Sequence, residues 1–332
     1  MGNSLLEIKP HQVSRDLRGY SVFFYGAAKT GKTTIATQFP GALLLAFEKG
    51  YNALPGVMPK PLNSWGEFKK VLSELRDPEV QKVFQTVVID TADIAYQYCE
   101  RYICNRESTA TQSYESIGDI PYGKGYKLAQ NEFDEAIRKI LQMDYGLILI
   151  SHDIEKTFKT ETGDEITKIV PTIDSRGKLI CERTCDIIGY ARNVDTEDGG
   201  EKTLLFMRGT PRFDAGSRFK YTPNYIEFTY ENLVNAIADA IDEEAKHRGS
   251  EFVTGEAINK QELYGSEKEY DFPALMAEFQ DIVGDLMSKN QNVAPKITKI
   301  VEEYLGKGKK VSDCTSEQAA QLDLIVFDLK KL

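Results

Sequence analysis

Residues 26–33, here called the P-loop, have the composition and spacing of a loop that binds nucleotide phosphates, the Walker A pattern. A glycine at each end lets the backbone aim its N–H groups at phosphate oxygens, and the helix predicted to follow adds its positive dipole end. Lys32 is placed to reach the β- and γ-phosphates of ATP, and the Thr33 hydroxyl to bind Mg²⁺. The predicted nucleotide contacts are Gly26, Ala27, Ala28, Lys29, Thr30, Gly31, Lys32, Thr33 and Thr34.

Two acidic residues stand where apolar runs end. Asp90 is predicted to hold Mg²⁺ through water. Capping the helix that follows is the alternative, and both roles could hold together. The next residue is Thr91, whereas many P-loop ATPases carry a water-activating glutamate there, so the base must lie elsewhere. Glu48, just past the run 42–47, is the best candidate. We expect its strand to lie beside the P-loop strand or one removed; an ion pair with Lys49 or another neighbour is the alternative.

A histidine follows another apolar run, at 146–151. Polar groups at such a position face the γ-phosphate across the edge of an open α/β sheet where ligands bind. The chain has only three histidines. We therefore predict that His152 senses the γ-phosphate, with a histidine satisfied by a backbone partner as the alternative.

The order of apolar and amphipathic segments predicts the elements that must position these residues. Short apolar runs alternate with stretches of helical periodicity, which is typical of an α/β fold with a mainly parallel sheet flanked by helices. The predicted strands of this part are 20–25, 42–47, 86–90 and 146–151. Two hairpins, within 154–173 and 187–207, and a helix at 230–248 follow.

The composition divides the chain into three predicted parts. Residues 1–248 form the ATPase core, and the polar, aperiodic residues 249–270 form a linker. Residues 271–332 carry three amphipathic stripes, which predict a small three-helix C-terminal domain. Thr315 and Gln318 resemble a capping box that opens its last helix.

The charge balance limits the ways in which the chain could bind nucleic acid. Its formal net charge is −10, whereas a simple DNA-binding domain is strongly basic. Any DNA contact must therefore come from a local patch, or from a ring or filament that brings small patches together. No window has the apolar length of a membrane span, and the first residues lack a signal-peptide pattern, so we expect no membrane and a cytoplasmic location.

Glu48 and His152, each at a strand end, resemble the catalytic glutamate and the polar sensor of the RecA-type recombinase core. More narrowly, residues 18–247 resemble the phage nucleotide-binding ATPases of the RecA-like single-strand-annealing group. The segments that carry this likeness are 26–33, 46–50, 87–91, 120–126, 151–152 and 215–219. The resemblance implies a RecA-like sheet and, for a phage-encoded protein, a place in the host cytoplasm.

The resemblance also implies two loops that face DNA, one over 105–126 and one in the hairpin after His152. Aromatic and basic side chains are interleaved in both, which suits single strands because bases stack while ammonium groups meet phosphates. Each loop could instead form a dimer contact or a lid. The candidate DNA contacts are Arg106, Tyr122, Lys124, Tyr126, Lys156, Phe158, Lys159 and Lys168.

The same resemblance implies a homo-oligomer, a ring or a filament, with ATP at the subunit interfaces. Arg218 would then supply a positive charge to a neighbour's ATP, with Lys220 and Arg212 as alternatives. A single-strand-binding protein is a further expected partner.

Together these features predict an ATP-hydrolysing protein of phage recombination or replication, in which water oriented by Glu48 attacks the γ-phosphate. We expect it to bind single-stranded DNA, to promote annealing or strand pairing, and to be stimulated by DNA. The acidic charge favours an alternative, a P-loop switch or clamp ATPase that acts on protein partners without touching DNA. A small-molecule kinase is the third hypothesis, because no glutamate follows Asp90, although no arginine-rich lid is visible.

Overall fold

The computed structural model describes residues 10–159, 163, 165–255 and 270–332, and the chain divides into two compact units, residues 1–266 and 267–332. The strands described in the first unit are β1 (Val13–Ser14), β2 (Ser21–Gly26), β3 (Ala42–Ala46), β4 (Met58–Pro61), β5 (Thr86–Asp90), β6 (Gly146–Ser151), β7 (Asp153–Lys159), β8 (Glu165–Pro171), β9 (Ile187–Asp195), β10 (Glu201–Phe206), β11 (Gly216–Ser217), β12 (Tyr225–Glu227) and β13 (Val253–Thr254). Its described helices are α1 (Lys32–Ala36), α2 (Trp65–Glu74), α3 (Pro78–Val83), α4 (Ala92–Glu107), α5 (Lys124–Gln142), α6 (Ser175–Thr184) and α7 (Tyr230–Arg248).

The central sheet is mainly parallel. Its strand order is β12-β10-β9-β2-β6-β5-β3-β4, with β11 paired to β9. The strands from β9 to β4 in this order all run in one direction. At the other side β10 is antiparallel to β9, and β12 is antiparallel to β10. Every residue of β2, β5 and β6 is buried, as expected for parallel strands covered on both faces. The predicted α/β class, with a mainly parallel sheet flanked by helices, is confirmed.

Helices cover both faces of the sheet because successive side chains of each strand point to opposite sides. On one side Phe23 belongs to a core built with α2, α4, α5 and α6, which contribute large residues such as Trp65 and Phe133. On the other side Phe24 belongs to a core built with α1 and α7, which contribute Ile35 and Leu233 among others. The P-loop helix α1 and the helices α5 and α6 therefore pack on opposite faces.

The parallel strands β2, β6, β5 and β3 end together at one edge of the sheet, here called the carboxyl edge. The register places Ala46 of β3 beside Asp90 of β5, and Asp90 beside Ile150 of β6. Strand β3 is separated from β2 by two strands, β5 and β6. The expectation that the strand of Glu48 lies beside the P-loop strand or one removed was therefore wrong, because local patterning specifies strands but not their order.

The first unit continues past the core boundary predicted at residue 248. Strand β13 pairs in parallel with β1, which places Val253 beside Val13 and Thr254 beside Ser14. The part of the predicted linker over 256–269 lies outside the described residues.

The second unit holds, in its described residues, helices α8 (Phe272–Lys289), α9 (Ala294–Leu305) and α10 (Ala319–Leu329). Ile297 and Val301 of α9 pack with Leu322 of α10 in its core. Thr315 and Gln318 form the predicted capping box ahead of α10. In the described parts of both units, no helix is long and apolar enough to cross a membrane.

Candidate ATP-binding site

The P-loop leaves β2 through backbone conformations that few residue types adopt. Gly26, Lys29 and Gly31 have φ values of 150°, 64° and 80°. A Cβ atom at Gly26 would lie 2.1 Å from the carbonyl oxygen of Ala191, so only glycine fits there. Gly31 directly precedes α1. The glycine spacing read from the sequence thus corresponds to two turns that the loop requires.

The ammonium group of Lys32 is buried inside the P-loop. Its Nζ donates to the carbonyl oxygens of Gly26 at 2.8 Å and Ala27 at 2.7 Å. Burial lowers the pKa of Lys32, and nearby carboxylates, Asp153 foremost, act in the opposite direction. The lysine is held within the loop that is predicted to surround the phosphates, so its charge is available there.

Asp90 lies against the start of α1. Its Oδ2 accepts a hydrogen bond from Thr33 Oγ1 at 2.7 Å, and the carboxylate is buried. Burial raises the pKa of Asp90 to about 6, and the charge of Glu48 adds to the increase. The N-cap of α4 is Thr91, so Asp90 does not cap this helix. Thr33 and Asp90 thus place a hydroxyl beside a buried carboxylate whose negative charge is poorly neutralised. Such oxygen ligands suit Mg²⁺.

Glu48 and His152 meet across the carboxyl edge. His152 Nε2 lies 3.3 Å from Glu48 Oε1, and both side chains are half-buried. The hydrogen bond from His152 lowers the pKa of Glu48, and the same contact raises the pKa of His152. The partner of Glu48 is thus a neighbour other than Lys49, as the alternative for Glu48 also allowed, and the ring of His152 contacts Glu48 rather than a backbone group. The contact keeps Glu48 ionised near neutral pH.

A buried carboxylate that the sequence analysis did not single out lies behind this pair. Asp93, in the first turn of α4, accepts a hydrogen bond on Oδ2 from Thr172 Oγ1 at 2.5 Å. Thr172 in turn donates its backbone N–H to the carbonyl of His152 at 2.9 Å. Asp93 therefore ties the helix after Asp90 to the base of the β7–β8 hairpin. Its position three residues after Asp90 was the only signal in the sequence.

Arg218 lies far from the P-loop of its own chain. Its guanidinium pairs with Asp186 at 2.9 Å, and Asp186 accepts a hydrogen bond from the backbone N–H of Ser21, the first residue of β2. The P-loop begins at Gly26, the last residue of β2, which lies five residues or about 17 Å along the strand from Ser21. Lys220 follows on the same segment as Arg218. Arg212 lies beside the hairpin, where its backbone carbonyl accepts a hydrogen bond from β8.

The first predicted DNA loop is helical at both ends, and its basic side chains are partly neutralised. Helix α4 continues to residue 107 and α5 begins at residue 124, so Arg106 and Lys124 lie on helices. Both pair with Glu107, at 3.3 and 3.0 Å, and Arg106 also approaches Glu132. The expectation of a loop over 105–126 was wrong at both ends. Tyr122 is wholly exposed, and Tyr126 lies under the guanidinium of Arg176.

The second predicted DNA loop is the β7–β8 hairpin. Phe158 stands opposite Ile166, and Lys156 stands opposite Lys168. Lys168 forms an ion pair with Asp214 at 2.6 Å, so its charge is partly neutralised. Lys156, Phe158 and Lys159 are exposed. The structure thus brings Lys32, Thr33, Glu48, Asp90 and His152 to one edge, places the hairpin next to them, and leaves Arg218 apart.

These features define a P-loop ATPase with a mainly parallel sheet. The chain belongs to the AAA domain family, which matches residues 18–219. Over 326 residues it is 32% identical to the SPbeta prophage-derived uncharacterized protein YorG of Bacillus subtilis (strain 168), covering 96% of this chain and 95% of that protein. It is also similar to the crystal structure of the RadB recombinase, with 17% identity and a TM-score of 0.35 over 65% of this chain and 90% of that one.

The family confirms the predicted class, a P-loop ATPase, and the relative confirms the predicted likeness to phage proteins. The single-strand-annealing group, the binding of DNA and the roles of individual site residues stay predictions.

Replacing Asp90 by asparagine should make the magnesium-free protein more stable at neutral pH. A raised carboxyl pKa means that the stability contributed by this group is complete below about pH 4 and lost as pH rises through about 6. A shift from 3.8 to about 6 corresponds to about 3 kcal/mol. We expect Asp90→Asn to raise the free energy of unfolding by roughly this amount at pH 7 and by little at pH 4.

Urea unfolding of both proteins in a chelating buffer, between pH 4 and 7, measures this difference. Glu48 and His152 titrate in both proteins, so their contributions cancel to first order. If the free energy of unfolding has the same pH dependence in both proteins, burial of the Asp90 carboxylate does not destabilise the fold.

Proposed function

We propose that the chain hydrolyses ATP in phage recombination or replication, binds single-stranded DNA, and promotes annealing or strand pairing. The observation that carries this proposal is the place of the β7–β8 hairpin, which begins at Asp153, directly after His152 at the ATP site. Near its described end, Phe158 and Ile166 face each other and are 47% and 39% exposed. An exposed aromatic side chain beside lysines suits stacking on unpaired bases.

Strand alternation puts the useful groups of the hairpin on one face. Ile154, Lys156 and Phe158 lie on the same face of β7, while Lys159 lies on the other. A single strand lying across this face would meet an apolar surface and two ammonium groups, that of Lys156 and that of Lys168, which is partly neutralised by Asp214. Duplex DNA would not, because its bases are already stacked on one another.

The residues at the carboxyl edge account for hydrolysis. Glu48, kept ionised by His152, would accept a hydrogen bond from the attacking water and orient it toward the γ-phosphate. Lys32 would leave the loop carbonyls for the phosphate oxygens, where its positive charge would stabilise the negative charge of the transition state. Thr33 and Asp90 would hold Mg²⁺, which supplies positive charge that offsets the charge developing on the phosphates.

The connection from the hairpin to the ATP site is short. His152 contacts Glu48, and the hydrogen bonds of Thr172 join the hairpin base to His152 and to Asp93. A ligand that repositions the hairpin would therefore act directly on the residue that contacts Glu48. This supports hydrolysis that responds to DNA.

The test is ATP hydrolysis by the purified protein with and without a single-stranded oligonucleotide. We expect the oligonucleotide to stimulate hydrolysis. In Phe158→Ala, the oligonucleotide concentration that gives half-maximal stimulation should rise by about 5- to 150-fold, because one stacking contact is lost. Phe158→Tyr should retain stimulation, and Val83→Ala, at another exposed apolar site, should not affect it. Hydrolysis indifferent to DNA, without salt-sensitive binding, would favour the switch or clamp that acts on proteins.

We also propose a homo-oligomer, a ring or a filament, with ATP at the subunit interfaces. The distance of Arg218 from its own P-loop supports this, because its charge could serve only the ATP of another copy. A mixture of Lys32→Ala and Arg218→Ala proteins should recover hydrolysis that neither shows alone, since some interfaces would combine an intact P-loop with an intact arginine. No recovery on mixing would argue against this arrangement.

A further inference from the structure

We propose that the groove between α5 and α6 carries single-stranded nucleic acid onward from the hairpin, a proposal that rests on the single-strand binding proposed above. The groove has a volume of about 700 Å³. Its lining contains five cationic side chains against one carboxylate, Asp134, a net charge of +4 in a chain whose formal total is −10. The cationic residues are Lys127, Arg138, Arg176, Arg183 and Arg218.

Ion pairs leave part of this positive charge free. Arg138 pairs with Asp134 at 2.8 Å. Two further carboxylates flank the groove: Asp174 pairs with Arg176 at 3.8 Å, and Asp186 pairs with Arg218 at 2.9 Å. With these two included, the groove still has five cations against three anions. Lys127 and Arg183 are exposed and have no carboxylate partner among the described residues. Unneutralised cations in a groove attract a phosphate backbone because binding releases its counterions.

Aromatic groups make the groove more suitable for bases than for an acidic peptide. The guanidinium of Arg176 lies 4.1 Å from the centre of the Tyr126 ring, and its side chain remains 41% exposed, so a planar cation presents its outer face to the groove. Tyr122 is wholly exposed and precedes Gly123, which lines the groove. Bases can stack on both groups, whereas a polypeptide carboxylate would use only the cations.

The groove and the hairpin are continuous along the chain. Strand β8 ends at Pro171 and α6 begins at Ser175, with Arg176 in its first turn. Only residues 172–174 separate them, and Thr172 is the residue that bonds to His152 and Asp93. A strand bound over the hairpin could therefore continue along α6.

The decisive comparison uses two variants with equal changes in charge. Lys127→Gln/Arg183→Gln removes the unpaired groove cations, and Lys60→Gln/Lys70→Gln removes two exposed lysines elsewhere on the same unit. Anisotropy of a labelled oligothymidine gives the dissociation constant at several salt concentrations. We expect the groove variant to bind about tenfold more weakly at low salt. Its plot of log Kd against log[salt] should be shallower by about 1.4, or 0.7 for each lost phosphate contact.

The control variant should keep the wild-type slope, and Arg183→Lys should keep it too because it retains the charge. Tyr122→Ala should weaken binding of the oligothymidine, while Tyr122→Phe should not, because only the ring is needed. Mg-ATP binding by the groove variant verifies that it is folded.

The outcomes separate the two proposals. A wild-type protein that does not bind the oligothymidine at low salt would overturn both. Wild-type binding that falls in Phe158→Ala but keeps its slope in the groove variant would overturn the groove alone. Displacement of the oligothymidine by polyglutamate at equal charge concentration, lost in the groove variant, would assign the groove to an acidic protein segment and also overturn the proposal.

Discussion

Replacing Lys32 by alanine should lower ATP hydrolysis by about 10²- to 10³-fold, comparable to removing one preorganised group that stabilises transition-state charge. The expectation follows from where the ammonium lies. It is buried in the P-loop, bonded to the carbonyls of Gly26 and Ala27, so it needs little movement to reach phosphate oxygens. The charged groups that act on it most, Asp153 and Asp90, are carboxylates, and a negative group cannot take its place. ATP binding should weaken as well.

Steady-state hydrolysis and titration with a fluorescent ATP analogue measure both effects. Lys32→Met, which keeps most of the side-chain volume, should lose as much activity as Lys32→Ala if charge rather than packing is responsible. Lys70→Ala removes an exposed lysine of α2 and should leave both measurements unchanged. Retention of more than half of the activity in Lys32→Met would contradict the phosphate-binding role.

The P-loop and the strands around it could be predicted because their determinants are local. A glycine at position 26 is required by its own φ and by one close backbone contact, and strands such as β5 are continuous apolar runs. The ends of these strands are also visible in the sequence, which is how Glu48, Asp90 and His152 could be assigned to one edge. Which of them touch depends on strand order, and strand order is a property of long-range pairing.

The basic residues show why the candidate DNA surface was harder to predict. Arg106 and Lys124 alternate with aromatic residues in the sequence, but helix α4 runs farther than expected and places Glu107 between them. Arg176 and Arg183 were not among the candidate DNA contacts predicted from the sequence. Their side chains become part of a basic groove because α6 packs beside α5, and no local pattern encodes that contact.

Replacing Glu48 by glutamine should separate catalysis from binding. We expect ATP to bind with nearly unchanged affinity and hydrolysis to fall by about 10²- to 10⁴-fold, the usual contribution of a positioned base. The same substitution removes the negative charge beside His152, so the pKa of His152 should fall from its raised value toward the ordinary range. Single-turnover hydrolysis and an imidazole NMR titration measure the two effects, and only three histidines need to be assigned.

Two comparisons make this prediction specific. Glu74→Gln changes an exposed glutamate at the end of α2 and should affect neither measurement. Asp153→Asn removes the other candidate carboxylate at this edge, which follows His152 and lies close enough to Lys32 to affect its pKa. If hydrolysis is slower in Asp153→Asn than in Glu48→Gln, the attacking water is oriented by Asp153, from the hairpin side.

The two measurements also show whether Glu48 orients the attacking water or only keeps His152 charged. If Glu48 orients water, hydrolysis falls in Glu48→Gln even at a pH where His152 is neutral in both proteins. If Glu48 serves only to hold His152 charged, the loss of activity should follow the titration of His152, and lowering the pH should restore the variant as the imidazole takes up its proton. The pH profile of the variant therefore assigns the 3.3 Å contact between Glu48 and His152 to one of these two roles.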